Sequence, residues 1–376
     1  MGLPGAGHPV HARDDLDDGH DELEADLRAL LSRPAAPLPP LAAERARRLA
    51  DAALRHGLAH ELVRRFPPPG PDADLAALRA RVERNVLARR IQDARLRAAL
   101  DEALAALAAR GIVPVALKGP ILAERAYADP ALRESGDLDL LVDPAELDHA
   151  LAALAARGWC PERGEFVFSD AYARRHHHHV HLGRPGGPDV EVHFRANVGF
   201  GAVLEAAPLL GRARDHRTAS GAAVRVLAPE DELIFLAIHS ARHLHERLGW
   251  LLDLLLLLEA GPPVDGAEVA ARARAWGASR ALAFTAAALA ELGAPLPEGL
   301  PRSPGATRLR VAEALRQRAL ARAGVARDRV FWAWGMAFEA VLADRATVAA
   351  ARLAHHGVWT VRRNTHRLLH RLSRRP

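Results

Sequence analysis

The chain is almost without cysteine: Cys160 stands alone among 376 residues. A disulfide framework within the chain is therefore excluded, and a reducing cytoplasm is the expected setting. Long apolar runs are missing too. The longest, LGWLLDLLLLLEA at residues 248–260, is interrupted by Asp253. It falls short of the roughly 20 residues that span a bilayer, so it reads as a buried helix. The first 27 residues have no basic segment leading into an apolar one, and no signal peptide is expected there. Neither sign of charge dominates, since the formal net charge is only +5. That balance permits an anionic substrate without demanding nucleic acid. No G-x-G-x-x-G follows a strand-like run, which excludes a dinucleotide-binding Rossmann domain, and nothing resembles a Ser-His-Asp hydrolase or an internal repeat.

What is present is core material. Hydrophobic residues make up 49% and charged residues 26%, a globular composition, and the abundance of Ala, Leu and Arg predicts a mostly helical chain. Residues 1–20 are polar and irregular and are expected to be disordered. Helical periodicity starts near Asp21, with Pro-rich breaks at 33–41 and 67–72. Helices are expected across 42–56, 58–66 and 73–110, the last stopped by Gly111. The character then changes. IVPVALKG (112–119) and DLDLLV (137–142) read as strands, with a helix across 120–128. Asp143-Pro144 opens a helix that closes at Gly158. Residues 178–194 read as two strands around a Gly/Pro turn. From Pro229 the chain is helical again, with breaks at 261–266, 293–305 and near 324–328. The expected fold is α+β: a small mixed sheet at 111–228 flanked by helical regions at 21–110 and 229–376.

The run LRESGDLDLLVDP sets Asp137 and Asp139 two residues apart in an apolar strand. Side chains alternate along a strand, so both acids share one face while Leu138 and Leu140 share the other. Adjacent carboxylates repel, and a divalent cation relieves the repulsion; Mg²⁺ in particular takes oxygen ligands. The competing reading is a pair of exposed acids on an edge strand. Upstream, VALKG ends a strand with Lys118 and Gly119, where a turn could meet phosphate. Downstream, DVEVHF puts Asp189, Glu191 and His193 on one face, so a neighbouring strand could supply a third carboxylate to a two-metal phosphoryl-transfer site.

These residues resemble the bacterial uncharacterised nucleotidyltransferase family, within the DNA polymerase β-like superfamily. The likeness runs over roughly residues 40–295 and is strongest across 117–159, with VEVHF and HSARHLHERLGWLLDLLLLL supporting it. The resemblance implies transfer of a nucleoside monophosphate from a nucleoside triphosphate. It implies two Mg²⁺ ions, with Mn²⁺ as a substitute, held by Asp137, Asp139 and Glu191, and a phosphate turn at Lys118-Gly119. Two departures stand out. The superfamily turn is usually Gly-Ser, whereas Gly119 is followed by Pro120, and the spacing from Gly119 to Asp137 is longer than usual. The acceptor does not come with the resemblance; a small molecule or a peptide is expected, and nucleic acid is not favoured. The competing class is a non-catalytic nucleotide- or partner-binding module that retains the fold.

Other residues have two readings each. Arg133 could bind triphosphate oxygens or form a buried ion pair with Asp137 or Asp139. Lys118 could hold a phosphate or pair with a catalytic Asp. The tract HHHHVH (176–181) alternates so that His177, His179 and His181 share a face; a histidine reaching nucleotide or acceptor, His179 or His181, is expected over a zinc site. His239 and His243 lie one helical turn apart without the Glu of a metalloprotease motif, and are expected to pack. Cys160 is expected to be an inert core thiol. The basic segment at 359–376 could touch RNA or an anionic membrane, a solvated helix being the expected outcome.

Overall fold

The computed structural model describes residues 14–33, 36–66, 72–161, 177–323 and 329–345, with residues 347 and 350. The basic segment at 359–376, the break near 324–328 and His176 lie outside them. The chain divides into two compact units, Met1–Ala88 and Arg89–Pro376.

The first unit is helical, with α1 (Asp14–Leu31), α2 (Ala43–His56), α3 (Ala59–Arg65) and the start of α4 (Ala73–Ala108). Helix α1 begins seven residues before the periodicity at Asp21. Gly57, at φ 75°, ends α2 in the left-handed conformation that glycine adopts without strain.

The second unit holds the sheet. Among the described residues seven strands run in the order β3-β4-β5-β2-β1-β9-β8. They are β1 (Val115–Ala116), β2 (Asp137–Leu141), β3 (Cys160–Pro161), β4 (His179–Gly183), β5 (Asp189–His193), β8 (Arg214–Arg217) and β9 (Ala223–Val226). The pairs β2/β5 and β1/β9 are parallel and the rest antiparallel, so the sheet is mixed. A separate hairpin joins β6 (Arg195–Gly199) to β7 (Ala202–Glu205). Strand β1 is shorter than the apolar run 112–119. Pro114 has no N–H for the ladder, although its carbonyl still accepts from Arg225 N–H at 2.9 Å.

One sheet face is the core. Leu138, Leu140, Val180, Leu182, Val190 and Val192 cluster with Leu96, Leu100, Leu104 and Leu107 of α4 and with Leu147 and Leu154 of α6 (Leu147–Ala155). The apolar alternation of β2 and β5 thus meets a helical stripe, leaving the acidic positions for the other face. Asp143 caps a single 3₁₀ turn ahead of α6, its Oδ1 accepting from Ala145 N–H at 2.8 Å. Cys160 departs from expectation: it is exposed, while its neighbour Trp159 is fully buried. Trp159, just before β3, turns its indole inward and donates from Nε1 to Pro188 O at 3.0 Å, while both residues of the edge strand β3 are exposed.

Helices complete the unit: α5 (Pro120–Ala126), α7 (Ala206–Arg212), α8 (Pro229–Arg242), α9 (Gly249–Ala260), α10 (Gly266–Trp276), α11 (Ser279–Glu291), α12 (Ala306–Ala323) and α13 (Arg329–Leu342). Helix α5 packs on α9, and α8 on α9, α10 and α11. Arg125 of α5 forms a two-pronged pair with buried Glu232 of α8, at 2.7 and 2.8 Å. The sheet and the helices that follow it therefore make one body.

Candidate functional site

The parallel register of β2 and β5 sets Asp139 opposite Glu191 and Asp137 opposite Asp189. Both strands are internal, so the acids lie on the sheet face and not on an edge. The Asp139 side chain is fully buried, whereas Asp137, two residues nearer the strand start, is 36% exposed. Glu191 is intermediate. The three carboxylates therefore run from a solvent-reached mouth to a sealed floor.

Two cations of the chain sit among them. Lys118 Nζ lies 3.1 Å from Asp137 Oδ1 and 2.6 Å from Asp139 Oδ2. Leu117 N–H donates to Asp139 O at 3.0 Å, which fixes the end of β1 against β2. Burial alone would lower the Lys118 ammonium, but Asp139, Asp137 and Glu191 outweigh it and hold it above its ordinary value. His193 Nε2 lies 3.2 Å from Asp139 Oδ1 and 3.3 Å from Glu191 Oε2, with Nδ1 3.3 Å from Arg195 O. Burial disfavours its charge, yet the hydrogen bonds to Asp139 and Glu191 push it up to about 9. For Glu191, burial works upward, and the hydrogen bond from His193 prevails and holds it below the ordinary carboxylate range. Lys118 and His193 thus keep their positive charge among the three acids.

Lys118 is the only lysine in a chain with 51 basic residues. A compact ammonium fits the slot between two carboxylates; a planar guanidinium is larger and fixed in shape. Lys118→Arg, which keeps the charge, is expected to destabilise by about 1–3 kcal/mol, the scale of overpacking a tight site. Urea unfolding of the two proteins measures it, and equal midpoints with equal slopes would contradict this account of the slot.

Gly119 follows at φ 75°, and a Cβ there would lie 3.4 Å from Asp137 O, so the turn runs close against β2. Its carbonyl accepts from Ala123 N–H at 3.2 Å, and Pro120 occupies the first position of α5 without an N–H.

Arg133 is brought to neither aspartate. Its Nε and Nη2 each lie 2.8 Å from a carboxylate oxygen of Asp253 on α9, and Nη1 meets Gly119 O at 3.5 Å and Ser135 Oγ. Tyr127 Oη donates to Asp253 Oδ1 at 2.7 Å. Burial opposes the guanidinium charge, and Asp253 more than restores it. The pair is buried on both sides and spans 120 residues of sequence. Reading the sequence alone missed Asp253 as the partner. The signal was there: one carboxylate in an otherwise apolar helix must find a cation.

The histidines of β4 line the acids of β5. His179 Nε2 is 3.7 Å from Glu191 Oε1, and His181 Nε2 is 3.3 Å from Asp189 Oδ2. Burial, then the charge of His193, lowers His179 to about 4, so it is neutral at pH 7. His178, His179 and His193 gather ring nitrogens within 4.8 Å, as do the ligand atoms of Asp139, Glu191 and His193. In the imidazole group Arg242 Nη1 donates to His178 Nε2 at 3.2 Å, setting a cation beside any metal there. The acidic group is the better cation site. Asp139 Oδ2 is buried and, despite the close ammonium, makes no hydrogen bond of good geometry. Two carboxylates beside an imidazole, with Asp137 on the same sheet face, fit a divalent ion better than three imidazoles beside a guanidinium. His239 and His243 pack as rings, with centroids 4.8 Å apart and 5.3 and 5.1 Å from Trp250.

A family model described as uncharacterised nucleotidyltransferase matches residues 42–293, about two-thirds of the chain. The chain belongs to that family. No curated protein and no solved structure matched it. Membership makes nucleotidyl transfer the general activity and a nucleotide the substrate class. The matched span takes in the acids of this nucleotidyltransferase, Lys118, the Arg133–Asp253 pair and the ring cluster. No described helix is long and apolar enough to cross a membrane.

Proposed function

We propose that this nucleotidyltransferase moves a nucleoside monophosphate from a nucleoside triphosphate to a hydroxyl of a small molecule or peptide, with Mg²⁺ as cofactor. The observation that carries the reading is the register Asp139 opposite Glu191, with Asp137 on the same face. Asp137, Asp139 and Glu191 would hold two Mg²⁺ ions, or Mn²⁺ in their place, which when bound offset phosphate charge and acidify the acceptor hydroxyl. The acceptor oxygen bonds to the α-phosphorus as the α–β bridging P–O bond breaks. The hydroxyl proton goes to solvent and pyrophosphate leaves. Lys118 is the residue assigned to the departing charge, supported by an ammonium that stays protonated beside the acids. Gly119 is assigned to close approach of a phosphate, supported by its positive φ. Arg133 acts indirectly in this reading: it ties the Gly119 turn to α9.

A second reading, a nucleotide-binding module without turnover, draws on one observation. Lys118 and His193 already neutralise much of the acid cluster. Glu191→Gln separates the two. For an enzyme it is expected to spare triphosphate binding and to slow pyrophosphate release by about a thousandfold, some 4 kcal/mol in the barrier. Calorimetric titration and a pyrophosphate-release assay over a broad acceptor panel measure both. Tight triphosphate binding by the wild type with no release from any acceptor establishes the module instead.

A further inference from the structure

With Arg133 fully engaged by Asp253, the polyphosphate of a nucleotide needs another guanidinium. The charged side chains around the acid face divide sharply by partner. Arg125 is forked onto Glu232, Arg133 onto Asp253, Arg195 pairs with Glu205, and Arg247 with Glu134. Arg242, the last residue of α8, is different. Its Nη1 donates to His178 Nε2 at 3.2 Å and to Asn197 Oδ1 at 3.1 Å, both neutral acceptors. Among the described residues it has no carboxylate within ion-pair distance, and its Nε and Nη2 donate to nothing. That pair of N–H groups is the edge with which Arg133 and Arg212 grip Asp253 and Asp231. Two parallel N–H donors are the geometry that takes a carboxylate or a phosphate side-on.

The guanidinium is also held in place. Asn197 is buried, and the arginine stem runs along Gly199 of the same hairpin, where a Cβ would make ordinary contact with Arg242 Cδ at 3.4 Å. Two imidazoles link this position to the acids. His178, which accepts from Arg242, has its ring 5.6 Å from that of His193, and His193 reaches Asp139. On α8 itself His239 lies one turn back. Its ring is half-buried, and desolvation with His243, Lys118 and Arg242 nearby keeps it neutral, so it gives Arg242 no counter-charge. A half-buried cation beside neutral groups, with a two-donor edge that no described residue takes, has the chemistry to bind an anion.

We propose that Arg242 binds the terminal phosphates of the nucleoside triphosphate, forming with Lys118 a polyphosphate subsite in which its Nε and Nη2 grip one phosphate group side-on. The identity of the ligand as a nucleotide rests on the transfer reading above; the anion site does not.

Isothermal titration of the full chain tests it, with Mg²⁺ complexes of inorganic tripolyphosphate, of the four nucleoside triphosphates and of a nucleoside monophosphate, against wild type, Arg242→Gln and Arg242→Lys. The Gln variant is expected to bind tripolyphosphate and triphosphates about tenfold or more weakly, and the monophosphate within about twofold of wild type, because only the distal phosphates lose their charged hydrogen bonds. The Lys variant should fall between, keeping the charge and losing the fork. A folded Gln variant that matches wild type on tripolyphosphate overturns the proposal. So does a wild type that binds no polyphosphate. If tripolyphosphate binds through Arg242 while no nucleoside triphosphate binds, the subsite stands and the transfer reading falls. Should the Gln variant fail to fold, phenylglyoxal labelling of the wild type, read by peptide mass spectrometry, decides. Protection of Arg242 by Mg²⁺-tripolyphosphate and not by a nucleoside is expected, and labelling unchanged by tripolyphosphate overturns the subsite.

Discussion

Asp139→Asn is expected to abolish nucleotidyl transfer, by about a thousandfold or more, and to remove Mg²⁺-dependent triphosphate binding. Of the three acids Asp139 is the most central. It is sealed from solvent, touches Lys118 and His193, and faces Glu191 across the parallel pair. A cation bound by the trio has to use it, whereas Asp137 at the mouth has water to share its work. Asparagine keeps the shape and loses the charge. Its amide also turns a donor toward an ammonium or an imidazolium, both of which need acceptors. The same change removes a carboxylate from between two buried cations, so some stability goes with it; breaking one partner of a buried pair typically costs about 3–5 kcal/mol. Activity must therefore be normalised to folded protein, by circular dichroism at the assay temperature. Near-normal turnover per folded molecule would end the carboxylate-centred proposal. Glu191→Gln gives the contrast, since it should keep triphosphate binding.

The second large effect is on stability, and its cause lies away from the acids. Arg133→Met should destabilise by about 3–5 kcal/mol, because Asp253 would be left buried with only the Tyr127 hydroxyl as partner among the described residues. Asp253→Leu should cost a similar amount by stranding the guanidinium. The double variant Arg133→Met/Asp253→Leu should recover most of the loss, since a buried ion pair replaced by well-packed apolar groups is often neutral or better. Denaturant unfolding of all four proteins reads this cycle. The double variant also isolates function from fold. Arg133 Nη1 contacts Gly119 O and Ser135, so a stable protein without it should hold the Gly119 turn less firmly and transfer nucleotide more slowly. Additive losses in the cycle would mean that the pair is not coupled.

Much of the acid site is legible in the sequence because strands write their faces into a two-residue period. DLDLL and DVEVH each display acids on one face and aliphatics on the other, and only their register needed the structure. His193 was visible on that same face, but its burial between Asp139 and Glu191 was not. Helix limits followed from local chemistry at Pro229 and Gly57, which start and stop α8 and α2. Long-range partners leave fainter marks. Asp253 betrayed itself as a lone charge in an apolar helix without naming Arg133, from which 120 residues separate it. Arg242 carried no mark at all in a chain crowded with arginine; what distinguishes it is that no carboxylate among the described residues pairs with it, and that is a property of three dimensions.

The central claim is that Asp137, Asp139 and Glu191 hold the ions that bring a triphosphate to the sheet face. Anomalous diffraction from crystals of the wild-type chain grown with Mn²⁺ and a non-hydrolysable nucleoside triphosphate tests it most directly. The account predicts anomalous peaks within coordination distance of oxygens from all three carboxylates, with triphosphate density beside them and Lys118 Nζ drawn off the aspartates toward phosphate. Triphosphate bound elsewhere, with no anomalous peak at the trio and the Lys118–Asp139 contact still at 2.6 Å, would contradict it.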